Sequence, residues 1–339
     1  MANLRQRLLD ASKRAAHVHQ DAASTARFAN GFSRINPLLL AEEAGVPVML
    51  TEQLDKLLGA FLREGRAGII VNSDRPIGMM HMTCAHELGH YFLDHVTTAD
   101  EHLDYGGAAA APEQEANQFA YSLMAPMWLV VRAAKAKGWG KSDLLQPDVV
   151  YQLSLRLGIS FTAMVWSLAR LKMVTPVQAN SIAVAKLRAL KTSGLPAGVT
   201  LGKNADVWVL DSRDKDWIIE PRSTDRFLLN LPSHATAGYL WSVDELASEG
   251  FTLSPVLVDA REQKRDGPPL VGGSGEDRYY LSGPAVEDSA QGSSKFRLHE
   301  TRPWVASDPD AAALALKMQF ETFKDGLTAG TRAREIRRQ

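Results

Sequence analysis

The residues whose types and spacing could do chemistry stand together in His86-Glu87-Leu88-Gly89-His90. On a helix, residues four apart lie one turn above each other on the same face, so His86 and His90 can offer two imidazole nitrogens to one metal ion. Glu87 lies one step around from His86, within reach of a water on that ion but badly placed to be a ligand. Two histidines, a third ligand from elsewhere, an open position and a carboxylate base make up the hydrolytic zinc arrangement. A five-residue pattern also arises by chance, so its surroundings carry the argument.

The metal-binding helix has its own anchors in the core, Met79, Met80, Met82 and Phe92. The third ligand is expected on a second helix, after a Gly- and Ala-rich loop from Thr97 to Ala111. Pro112 suits a helix first turn. Glu113 and Asn117 then share a face, which lets one bind zinc and the other hydrogen-bond a ligand histidine. Glu115 points roughly 200° away from Glu113, so Glu113 is favoured as the ligand. His95 reads as a polar residue at the helix end rather than a ligand, and His81 as a surface or cleft-rim histidine. Cys84, two residues before His86, reads as a small buried side chain. Tyr91 and Tyr121 read as packing residues, and the group that stabilises an oxyanion is left unassigned.

The chain has 339 residues, 45% of them hydrophobic, a formal net charge of -1 and one cysteine. That composition supports two domains, gives no global attraction to nucleic acid or membrane, and allows no internal disulfide. With no signal-peptide core and no membrane-length apolar run, a soluble cytoplasmic protein is the default expectation. Residues 2–24 read as an amphipathic helix through Leu4, Leu8, Ala11, Ala15 and Val18. Pro37 opens a short helix over Leu38 to Ala44, followed by an extended Val46 to Leu50. A further helix is expected over Glu52 to Arg63, then a β-prone run from Gly68 to Asn72. That run is either a strand that pairs with extended substrate or a plain core strand.

Ala85-His86-Glu87-Leu88-Gly89-His90, then Glu113-Gln114-Glu115-Ala116-Asn117-Gln118-Phe119-Ala120, then Leu123-Met124-Ala125-Pro126 resembles the ImmA/IrrE family of zinc metallopeptidases. The similarity runs from about residue 30 to 195 and takes in the helical stretch from Val149 to Leu190. The resemblance implies a gluzincin-like site in a mostly helical α+β domain, with one Zn2+ per chain held by His86, His90 and Glu113. Glu87 would be the catalytic base, and Asn117 would support a ligand from the second shell of contacts. It also implies a protein substrate, in this family a transcriptional repressor cut in response to DNA damage or another stress. No convincing helix-turn-helix is visible in this chain, so the repressor is expected to be a separate protein.

Beyond a turn-rich connector the texture becomes β. Strand signals run over Val207 to Leu210, Trp217 to Glu220, Phe227 to Leu231, Phe251 to Val258, Tyr279 to Leu281, Phe296 to His299 and Leu314 to Phe320. Three loops, around His234 to Trp241, Val271 to Gly275 and Arg302-Pro303-Trp304, resemble the binding loops of chagasin-type cysteine-peptidase inhibitors. That resemblance implies an immunoglobulin-like β-sandwich. It makes Thr236, Gly238, Tyr239, Trp241, Gly272, Gly273, Arg302, Pro303 and Trp304 candidate partner-binding residues.

The expected plan is therefore an α+β multidomain chain. A metallopeptidase domain covers 1–195, a linker 196–204, a chagasin-like β-sandwich 205–325 and a solvated basic tail 326–339. The expected function is zinc-dependent cleavage of a specific protein partner, with the β domain recognising a partner or gating activity. The alternative is a binding protein whose β domain blocks a papain-like cysteine peptidase. Neither membrane nor direct nucleic-acid binding is expected.

Overall fold

The computed structural model describes residues 4–21, 24–96, 98–100, 110–244, 251–256, 275–282, 293–302, 304–305 and 311–338. The chain divides into two compact units, Met1–Ala185 with Phe323–Gln339, and Lys186–Thr322.

The first unit opens with α1 (Leu4–Asp21) and α2 (Ser24–Ala29). Ala11, Ala15 and Val18 of α1 are buried at helical spacing, and the helix packs along α5 (Ala111–Met124). Helix α3 (Pro37–Glu43) starts where Asn36 accepts the backbone N–H groups of Leu38 and Leu39, with Pro37 in the first turn. Strands β1 (Val48–Thr51), β2 (Gly59–Leu62) and β3 (Gly68–Asn72) follow, then α4 (Ile77–Phe92) and β4 (Thr98–Asp100). After α5 come α6 (Met127–Ala136), α7 (Pro147–Leu157), α8 (Phe161–Arg170) and α9 (Pro176–Ala183). Gly158, in the left-handed region at φ 66°, ends α7, and Ser160 caps α8 by accepting from Ala163 N.

One expected helix, and one of the two alternatives for a strand, fail in this unit. Glu52 to Arg63 is not a helix: a turn through Asp55, at φ 44°, leads into β2, which pairs antiparallel with β3. Tertiary context overrides the helical spacing here, because Phe61 is fully buried and its ring stacks on His90 at 6.4 Å. The β3 run cannot pair with substrate either. The sheet order β13-β1-β3-β2-β4 places it between two partners, where β13 is Gly326–Leu327.

The last residues are likewise not a solvated tail. Strand β13 pairs antiparallel with β1, and α11 (Ala329–Arg338) packs on α3. Glu42 of α3 accepts from the Thr328 hydroxyl and the Thr331 N–H, and Arg66 bonds Glu335 at 2.7 Å. Long-range pairing of this kind leaves no local signature in an arginine-rich sequence.

The second unit begins with α10 (Leu187–Thr192) and holds two four-stranded sheets. One has the order β5-β7-β10-β9, from Val207–Leu210, Arg226–Ser233, Gly275–Ser282 and Thr252–Pro255. The other has the order β6-β12-β11-β8, from Ile218–Ile219, Ala313–Gln319, Ser293–Thr301 and Leu240–Val243. Phe227 and Phe251 meet Phe320 and Phe296 in the core between them, with ring centroids 5.6–6.4 Å apart. The alternation in β12 buries Leu314, Leu316 and Met318 on one face. Strand β8 lies where the sequence suggests a loop. The molecule thus combines helices with mixed sheets in two units, an α+β multidomain chain. Among the described residues, no single helix is long and apolar enough to cross a membrane.

Candidate metal centre

Helices α4 and α5 make the site because they cross closely. A Cβ on Gly89 would stand 3.0 Å from Ala116 Cα and 3.1 Å from its carbonyl oxygen, so any larger residue would need the crossing to open by a few tenths of an ångström. The crossing brings Glu113 over the face that carries His86 and His90. Their Nε2 atoms are 3.0 Å apart; His86 Nε2 lies 3.2 Å from Glu113 Oε2 and His90 Nε2 3.5 Å from Glu113 Oε1. The two imidazoles are buried and Glu113 is partly open to solvent.

The proton inventory shows why this cluster is unusual. His86 Nδ1 lies 3.2 Å from Asn117 Oδ1, an acceptor, so Nδ1 carries the proton and Nε2 presents a lone pair to the cluster. With the His86 proton on Nε2 instead, hydrogen bonds from His86 and then His90 would hold the Glu113 carboxyl well below the usual carboxylate range. A divalent ion satisfies every member at once. Zinc at about 2.0–2.2 Å from tetrahedral ligands sets those ligands roughly 3.3–3.6 Å apart, and the separations here are 3.0–3.5 Å. His86, His90 and Glu113 therefore fit such an ion in both spacing and chemistry.

Glu87 is fully buried on α4. Strand β2 runs beside it: a Cβ on Gly59 would stand 3.2 Å from Glu87 Oε1. The strand that borders the site is therefore β2, inside the segment whose spacing suggests a helix.

Behind His90 lies a group of residues that no local spacing connects. Helix α4 ends in a Schellman turn, with Asp94 N bonding Tyr91 O at 3.3 Å and His95 N bonding His90 O at 2.9 Å, around Asp94 at φ 59°. The turn folds His95 back, so that its Nδ1 stands 3.1 Å from His90 Nδ1. His95 Nε2 in turn lies 3.6 Å from Glu115 Oε2, and Glu115 is ion-paired with Arg7 of α1. Burial, and then the neighbouring His90, lower the pKa of His95. Glu115 does face away from the metal position, as its phase on α5 requires.

His81 is wholly buried, not at a rim, with Nδ1 3.2 Å from the carbonyl of Gly158. Cys84 is buried and burial pushes its thiol pKa up. Tyr91 packs edge-on to Phe61, and Tyr121 lies under the Arg170 guanidinium at 3.9 Å.

In the second unit the candidate partner-binding residues fall into two contacts. The Trp304 indole lies against Gly238, where an added Cβ would come within 2.3 Å of the ring, and Trp304 is 70% exposed. The Arg302 guanidinium sits 4.8 Å over the Tyr239 ring. Thr236 lies in the 3-10 turn just before Gly238. Trp241 sits in β8, donating from Nε1 to the Pro232 carbonyl at 2.8 Å. Gly272, Gly273 and Pro303 lie outside the described residues.

Comparison with known proteins agrees with this geometry over the first unit. No curated protein matches the chain significantly. Among solved structures, a cysteine protease inhibitor from Entamoeba histolytica, EhICP2, is similar at 16% identity and a TM-score of 0.25, over 35% of this chain and 100% of its own. The solution structure of Amebosin is similar at 22% identity and a TM-score of 0.26, with the same coverage. Both similarities are too slight to carry an argument. The family comparison is specific: residues 41–165, which hold both site helices, match the peptidase M78 family's IrrE N-terminal-like domain. That match covers a little over a third of the chain.

Proposed function

We propose that this protein is a zinc-dependent endopeptidase that cleaves a specific protein partner. The observation that carries the reading is the convergence of two imidazole nitrogens and a carboxylate at ligand spacing. His86, His90 and Glu113 would hold one zinc ion. Zinc held there supplies Lewis acidity: it brings the pKa of water down to about 7 and polarises a carbonyl oxygen. Glu87, one step round α4 from His86, takes the proton of the attacking water and later delivers it to the leaving amine. Asn117 fixes the tautomer of His86. Strand β2 borders the catalytic carboxylate through Gly59.

The substrate class in this reading is a separate helix-turn-helix repressor, cut during a stress or DNA-damage response. The IrrE-like character of residues 41–165 supports that choice. The second unit, read as an immunoglobulin-like sandwich, recognises a partner or gates activity. Exposed Trp304 beside Gly238, and Arg302 over Tyr239, support a protein-binding surface there, since tryptophan, tyrosine and arginine dominate such contacts. The same surface supports the second reading, inhibition of a papain-like cysteine peptidase. Titration of the full chain into papain separates the two: inhibition abolished by Trp304→Ala favours the inhibitor.

The direct test of the enzyme is Glu87→Gln. This variant is expected to retain one zinc per chain and to trap its partner uncut, with cleavage down by at least about 10²-fold. Cleavage at the wild-type rate would remove Glu87 as the base.

A further inference from the structure

We infer that His95, Glu115 and Arg7 form a positioning chain that fixes the tautomer of His90 from outside the metal position, and so make the N-terminal helix part of the working site. This rests on the metal reading above.

An imidazole that binds a metal through Nε2 must carry its proton on Nδ1. In His90 that proton points at His95 Nδ1, 3.1 Å away. Two Nδ1 atoms can share a hydrogen bond only if one donates and the other accepts. With His90 donating, His95 accepts, and its own proton must be on Nε2. That nitrogen faces Glu115 Oε2 at 3.6 Å. The separation is longer than a formed hydrogen bond but short enough, between side chains only 11% exposed, for the carboxylate to favour this tautomer electrostatically. Arg7 anchors the carboxylate from α1. Every link has one direction compatible with a metal on His90.

The opposite tautomer shows what the chain prevents. A proton on His95 Nδ1 would face the one on His90 and drive it to Nε2, the atom the metal needs. His86 Nδ1 meets Asn117, whereas His90 depends on three residues from three segments. The Schellman turn makes the first link. The contact between the residue after the left-handed position and the residue in the last helical turn is often hydrophobic; here it joins two imidazoles. None of the three residues touches the metal position, so they position the ligand and are not catalytic.

The test measures zinc affinity of the full chain by competition with a chelating indicator, together with the visible spectrum of the cobalt(II) form. His95→Phe keeps a ring but removes the acceptor, and is expected to weaken zinc binding about 10- to 100-fold and to shift the cobalt bands. His95→Gln, which can accept from His90 and donate to Glu115, is expected to restore most of the affinity. Glu115→Gln is expected to lie between wild type and His95→Phe. Thermal melts of the metal-free forms should stay close to wild type, and Glu115→Gln and His95→Gln keep the test open if His95→Phe folds poorly. Zinc affinity of His95→Phe and Glu115→Gln within about twofold of wild type overturns the inference while leaving the metal reading intact. A wild-type chain that binds no zinc overturns both.

Discussion

Each unit of this molecule holds a carboxylate among polar neighbours, and the two are surrounded in opposite ways. In the second unit Asp225 accepts from Asp206 N at 2.8 Å, Trp208 Nε1 at 2.9 Å and Arg222 N at 3.0 Å. Burial and then the nearby Asp206 push its pKa up to about 6, while those donors pull the other way. Asp206 is itself paired with Lys191 at 2.9 Å. Polar groups closed by donors in this way join strand ends and turns, and they ask for nothing further. In the first unit Glu113 meets two imidazole nitrogens, of which His86 Nε2 is already an acceptor by virtue of Asn117. Acceptors facing acceptors need a cation. The difference separates a polar cluster closed by donors from one with the spacing to take up a cation.

The largest expected effect that sharpens this contrast comes from Glu113→Ala. It leaves two histidines with no anionic partner and is expected to weaken zinc by more than the roughly 10- to 100-fold typical of a supporting residue. Equilibrium dialysis measures it. Next is Gly89→Ala, whose Cβ meets the Ala116 backbone across the crossing of α4 and α5. Forcing the helices apart is expected to cost about 1–3 kcal/mol in denaturant melts and to weaken zinc in parallel.

A smaller effect is expected from pH in the second unit. A carboxyl whose folded pKa lies above its unfolded value of about 3.9 binds its proton more tightly when folded. Asp225 therefore makes this unit more stable as pH falls from above 6 toward 4, by about 1–3 kcal/mol, read by chemical denaturation with Trp208 fluorescence. Stability that falls over that range would show that the three donors outweigh burial. Asn117→Ala should be the mildest, weakening zinc about tenfold with little change in melting.

Much of the first unit's chemistry was legible in the sequence because it is local. The spacing of His86 and His90, the phase of Glu113 against Glu115, and the β character of Gly68 to Asn72 all follow from helical and strand periods. What was hidden depends on contacts between distant segments. Phe61 and Gly59 belong to a strand only because β3 and α4 receive them, so spacing alone points to a helix. His95 and Glu115 find each other only because Asp94 turns left-handed and α1 brings Arg7 across α5. The docking of β13 and α11 pairs residues nearly the whole chain apart, which no window of sequence reports. In the second unit alternation is a strong local signal, and β5 and β12 read out directly, while β8 hides among loop-forming residues.

One zinc ion in one place is the central requirement of the proposed enzyme. Crystals grown with zinc and measured across its absorption edge should show a single anomalous peak about 2.0–2.2 Å from His86 Nε2, His90 Nε2 and a Glu113 oxygen, with the fourth position left to water. Full zinc loading with no peak between these three side chains, or with the Glu113 carboxylate turned away from it, would contradict the account.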